Sequence, residues 1–133
     1  MKIVMIVNQE LPAGLVANTA AVLGITLGRF RNDIVGPDCL DGSNITHKGI
    51  TEKNIPILAA DGDALKQIYQ ACMDKAHIDM IDFNRIAQSC RDYEQYSSTL
   101  SNTENHRLDF SGLCLWGPKK EITRLTGSLG LYR

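Results

Sequence analysis

The chain has 133 residues, 44% hydrophobic and 22% charged, which is the composition of one soluble globular domain and too little length for two. Fourteen basic against 15 acidic side chains leave a formal net charge of −1, which excludes the basic excess of a general nucleic-acid binder. The four cysteines, Cys39, Cys72, Cys90 and Cys114, form no CxxC pair and have no zinc-finger histidine spacing, so neither a disulfide framework nor a metal site is expected.

The first predicted element is the apolar, β-branched run KIVMIV (2–7), a central strand covered on both faces. Asn8, Gln9 and Glu10 end it too early for a secretory signal, and no apolar segment is expected to reach membrane-spanning length. These readings place the protein in a reducing cytoplasm, away from membranes. LPAGLVANTAAVLGITLG (11–28) holds no charged residue. It predicts a helix that is apolar nearly all round and buried on more than one side, with Pro12 at its start and Gly28, Arg29 and Arg31 at its end. A homodimer through this helix is the expected assembly.

Residues 32–54 are polar and rich in turn formers. NIPILAA (54–60) predicts the second strand. Asp61 then caps a helix whose inner face is Leu65, Ile68, Tyr69 and Cys72. HIDMIDF (77–83) is the third predicted strand. DYEQYSSTL suits a helical turn or two within the poorly patterned stretch 84–111. GLCLWG (112–117) is the fourth strand. Pro118 opens a last helix at its first position, Ile122, Leu125 and Thr126 face inward, and Gly127 is expected to end it in the left-handed conformation. Cys72 and Cys114 sit in apolar patterns and read as small core residues. The predicted fold is α/β: a single domain with a four-stranded mixed β-sheet flanked by helices.

The ending of the chain carries a resemblance. Gly117, Pro118, Ile122, Leu125, Thr126, Gly127, Leu129, Leu131 and Tyr132 are similar to the close of the type II peptidyl-tRNA hydrolase fold. Leu11 and Gly14, opening an Ala-rich helix after an apolar strand, resemble its beginning, and DGDALKQIYQACMDKA resembles its middle helix. The similarity is greater still to uncharacterised bacterial proteins that share that fold. It spans the chain apart from roughly residues 30 to 53 and 84 to 111.

The resemblance implies a fold and, for the hydrolases, cleavage of the ester between a peptide and tRNA with no cofactor. It also implies a lysine-rich entry to the first helix and an Asp-Ala-Gly-Arg-Thr-like stretch after the third strand. A lysine there would hold phosphate and stabilise an oxyanion. Here ELPAGLVANTAA (10–21) has no lysine, and DFNRIAQSCRDYEQY (82–96) replaces the second motif. Hydrolase activity is therefore expected to be lost, with tRNA disfavoured as a partner. The remaining expectation is a relative that binds a small molecule or a protein; an active ester hydrolase with a rearranged site is the alternative.

Ligands in open α/β sheets bind at the carboxyl ends of strands, and helix N-termini offer free N–H groups to anions. The candidate ligand-binding residues are accordingly Asn8, Glu10, Gly14 and Asn18 around the first strand's exit, and Asn84, Arg85 and Gln88 beyond the third. Each has a plainer reading as a helix cap, a loop hydrogen bond or a surface charge. Asp82, Asp92, Thr99 and Thr103 are available without assigned roles. Cys39 or Cys90 with His47 or His106 would be a nucleophilic pair only if the fold joined them. Lys119, Lys120, Arg124 and Arg133 form a basic end.

Overall fold

The computed structural model describes residues 1–133. Strand β1 (Lys2–Asn8) has five consecutive buried residues, which only a central strand covered on both faces can have. Its neighbours are β4 (Ile57–Ala60), parallel to it, and β6 (Phe110–Gly117), antiparallel; β5 (Asp79–Asn84) pairs antiparallel with β6 at the edge. The sheet order is β4-β1-β6-β5, a mixed four-stranded sheet in which β1, β4 and β5 run the same way. All four strands lie where the sequence predicts them, within a few residues at their ends.

Side-chain alternation splits the core in two. Val4, Ile6, Leu113 and Leu115 face α2 (Gly62–Met73) and α5 (Lys119–Thr126). Ile3, Met5, Cys114 and Trp116 face α1 (Ala13–Phe30). Cys72 and Cys114 are both core residues, and Asp61 caps α2 by accepting from the Ala64 N–H.

Helix α1 corrects an expectation. Only its stripe Val16, Thr19, Leu23 and Leu27 is buried, and Ile25 on another side is 78% exposed. Half of its exposed residues are alanine or glycine (Ala13, Gly14, Ala17 and Ala21), so freedom from charge did not require cover on all sides. Its 18 residues and mean hydropathy of 1.3 also make it long and apolar enough to cross a membrane by length and composition alone, contrary to the sequence expectation. Its buried stripe is packed on the sheet.

Residues 32–54 hold a 3₁₀ turn (Asn32–Ile34) and a small hairpin of β2 (Cys39–Leu40) and β3 (Thr46–His47), two strands too short to show a period. Asp41 organises the hairpin turn by accepting from the N–H groups of Ser43 and Ile45, and Asn44 takes the left-handed conformation at φ 62°. Residues 84–111 contain α3 (Arg85–Ser89), α4 (Tyr93–Ser101) and a 3₁₀ turn (Asn105–Arg107).

The last helix differs in detail from its prediction. Pro118 is the cap and Lys119 the first helical residue. Gly127 is right-handed, at φ −64°. Its lack of a side chain is needed for another reason: a Cβ there would stand 2.7 Å from the Thr123 carbonyl oxygen.

Gly112 of β6 lies under Thr19 and Leu23 of α1 with no room for a side chain. A Cβ on it would come within 2.6 Å of Thr19 Cγ2 and 2.8 Å of the Ile6 carbonyl oxygen. Gly112→Ala should therefore destabilise the protein by about 1–3 kcal/mol, the usual penalty of overpacking. Gly14→Ala, whose Cβ would meet nothing within 4 Å, is the control and should not destabilise. Chemical denaturation of both variants checks this, and equal stabilities would refute the close approach.

Candidate functional site

Because β1, β4 and β5 run together, their carboxyl ends meet at one edge of the sheet: Asn8 beside Ala60, and Asn84 beside Phe110. This is the edge the sequence singled out. The register of β5 against β6 shifts there, with Phe83 opposite Gly112 but Asn84 opposite Phe110. Ser111 is the extra residue of a bulge, a device that re-aims side chains at sheet edges.

The Ser111 hydroxyl donates to Gln88 Oε1 at 2.7 Å, and the Arg85 guanidinium donates to the same oxygen. The Gln88 amide nitrogen reaches the Leu15 carbonyl at 3.0 Å, Thr19 Oγ1 at 3.1 Å and Asn18 Oδ1 at 3.2 Å. One carboxamide thus ties α3 to α1 and β6. Asn8 is similarly engaged: Oδ1 accepts from the Glu10 N–H at 3.0 Å, and Nδ2 donates to the Phe110 carbonyl at 3.2 Å. Glu10 Oε1 accepts from the Gly62 N–H at the start of α2. Gly14 lies exposed in the first turn of α1.

The seven predicted residues therefore share one edge but not one cavity. Asn18, Arg85 and Gln88 make one cluster, Asn8 and Glu10 a second, and Gly14 stands apart from both.

Asn84 differs from the rest. It is 1% exposed, and its Oδ1 accepts from the Ala87 N–H at 2.8 Å as the cap of α3. That bond fixes which way the amide points. Its Nδ2 is buried and has no hydrogen-bond partner. A buried donor without a partner costs about 1–3 kcal/mol.

The Asn84 amide acts on Asp82 and Tyr96, lowering the pKa of both. In each, burial acts first and in the opposite sense, so both groups remain raised. For Tyr96 the charges of Asp82, Tyr93 and Cys90 add to the rise. Asp82 keeps much of its surface exposed, so solvent screens its charge.

Asp82 and Tyr96 line a cavity of about 360 Å³ between the second half of α1, the end of β5, α3 and α4. Its walls include Val22, Thr26, Phe83, Cys90, Asp92 and Tyr93. Tyr93 and Tyr96 meet edge to face, with ring centroids 5.6 Å apart. Asp92 caps α4 by accepting from the Gln95 N–H.

Sequence reasoning reached Asn84 and noted Asp82 and Asp92 without roles, but missed both tyrosines. The legible signal was the spacing Tyr93–Tyr96, which puts two rings on one side of a short helix.

The fold does join one suggested nucleophilic pair. Cys39 stands opposite His47 in the β2–β3 ladder, and His47 Nε2 lies 2.8 Å from Asp41 Oδ2. The Cys39 thiol donates to the Pro37 carbonyl instead, at 3.6 Å, and all three side chains are exposed. Proximity to His47 holds Asp41 below the usual carboxylate range.

The architecture defines a small α/β protein in which a mixed sheet lies between α1 on one face and α2 with α5 on the other. The chain belongs to the family described as Protein of unknown function (DUF2000), which it matches over residues 1–133. It is also similar to a solved structure, the protein of unknown function Atu0240 from Agrobacterium tumefaciens strain C58. The two are 18% identical with a TM-score of 0.90, over 99% of this chain and 97% of that one. At that identity the likeness shows the fold. No curated protein matches the chain.

Burial raises Asp82 in the folded state, so its ionised form opposes folding. The penalty is absent at low pH, where the carboxyl is protonated both folded and unfolded, and is complete above the raised folded value. Asp82→Asn should therefore be more stable than the parent at pH 7, with the gap closing as pH falls through the ordinary aspartate range. Thermal melts across that range test this. A variant less stable at pH 7 would show that the carboxylate is compensated within the fold.

Proposed function

We propose that this protein binds a small molecule in the cavity between α1, β5, α3 and α4, and that it is a relative of the type II peptidyl-tRNA hydrolase fold without that hydrolase activity. The observation that carries the first half is Asn84: a nearly inaccessible side chain, oriented by its cap bond, with an unpaired Nδ2, on the residue that directly follows Asp82 and Phe83 of the cavity wall. Buried donors are almost always paired, so an exception calls for a physical reason, and a ligand-binding role is one. The cavity also joins apolar walls to a few polar groups at the carboxyl end of a strand, the usual composition and place of a small-molecule site.

The second half rests on what stands near the sheet edge. The chain order and the Gly-Pro to Thr-Gly ending support the fold relationship. The entry to α1 offers no lysine. Lys119 and Lys120 follow Gly117, which pairs with Lys2 at the far end of β1. That puts them about 20 Å from Asn8 at ordinary strand rise. Of the cations nearer the site, Arg85 donates to Gln88 and Lys66 pairs with Asp109 at 3.2 Å.

A labelled peptidyl-tRNA at low salt tests the loss of activity. Release should be at least about a hundredfold below that of a genuine hydrolase, the effect of losing one positioned electrophilic donor. Turnover within tenfold of that enzyme, abolished in a Glu10→Ala, Asn18→Ala variant, would favour a rearranged catalytic site instead. A thermal-shift screen of small molecules tests binding, since a ligand of the folded state raises its stability. Stabilising compounds should lose their effect in Tyr96→Ala; an effect that persists there would locate binding elsewhere.

A further inference from the structure

The charge around the cavity narrows what it would take. Its titratable lining groups are Asp82, Asp92, Cys90, Tyr93 and Tyr96, and no lysine, arginine or histidine lines it. Helix α1 contributes Val22 and Thr26, from a stretch without charge. From α3 comes Ala87, while Arg85 of the same helix is turned to Gln88. None of the ion pairs in the molecule includes Asp82 or Asp92. Asp92 has one oxygen engaged with the Gln95 N–H. Asp82 is left with the Asn84 amide as its polar support and with no cation.

We propose that the cavity takes a small organic cation, a primary or quaternary amine on an apolar body, held by the Asp82 carboxylate and the rings of Tyr93 and Tyr96. This rests on the reading of the cavity as a ligand site. Three physical terms point the same way. An anion would face two carboxylates. A neutral apolar ligand would desolvate Asp82 further and offer it nothing in return. A cation supplies the missing counter-ion, and tyrosine ring faces attract ammonium groups through their quadrupoles.

Burial raises Asp82, and the neighbouring Asn84 amide offsets part of that rise, which favours the ionised carboxylate that such a ligand needs. The body of the ligand would lie against Val22, Ile81 and Phe83. A cavity of about 360 Å³ is at the small end of ligand sites, which suits a single-ring compound.

The test uses the full chain labelled with ¹⁵N and four probes of matched size: benzylamine, benzyltrimethylammonium, benzyl alcohol and benzoate. The two cations should shift amides within residues 81–96 saturably, and more weakly as salt rises. Asp82→Asn should weaken both by about tenfold or more, the effect of removing one charge of a close pair. Tyr96→Leu should weaken the quaternary compound. Benzyl alcohol or benzoate binding there as well as the amines, indifferent to Asp82→Asn, would overturn the cation while leaving the cavity as a site. If none of the four perturbs residues 81–96, both readings fall.

Discussion

Gln88 fastens three elements with one side chain. Its amide nitrogen meets three acceptors on α1, and its oxygen accepts from Ser111 on β6 and Arg85 on α3. Helix α3 is only five residues long and buries no residue fully. So short a helix has little hydrogen-bonded structure of its own, and its place must come from tertiary contacts. The Gln88 bonds and the Asn84 cap supply the polar part of those contacts. Helix α4 follows three residues later and likewise buries nothing fully. The wall of the cavity therefore depends on this polar joint at the sheet edge together with Ile86 of α3 and Leu100 of α4, which pack partly buried against the core.

This joint divides the polar residues of the edge into two kinds. Asn8, Glu10 and Gln88 have partners within the fold, and their bonds set the strand exits and helix starts. Asn84 and Asp82 have incomplete partnerships. Asn84 has a buried donor with no acceptor in bonding geometry, and Asp82 is a part-exposed carboxylate with no cation paired to it. Natural folds tolerate such features where function uses them, and give up some stability to keep them. The rigid part of the molecule, β1 with β6 between two helical layers, holds the edge on which the less stable part is mounted.

The rigid part was legible in the sequence because its physics is periodic. A five-residue apolar run rich in β-branched residues favours a buried strand, and Leu65, Ile68, Tyr69 and Cys72 repeat as one face of a helix. The outer face of α1 was misread because alanine and glycine carry no polar mark of exposure, so the whole uncharged stretch 11–28 looked buried on more than one side. The site was legible only in its location. Asn84 and Gln88 followed from the rule about strand ends, but their roles depend on a bulge at Ser111 and on a 73-residue separation between Gln88 and Leu15, neither of which has a sequence signature. Tyr93 and Tyr96 join the cavity through the placement of α4, which is set by tertiary contact.

If the joint positions the site, loosening it should loosen the cavity wall and leave the sheet intact. Native-state hydrogen exchange on the parent and on Gln88→Ala measures this directly. The account predicts faster exchange across residues 84–101 in the variant, with protection of β1 and β6 unchanged. Unchanged protection in 84–101, or an equal loss throughout the chain, would contradict it.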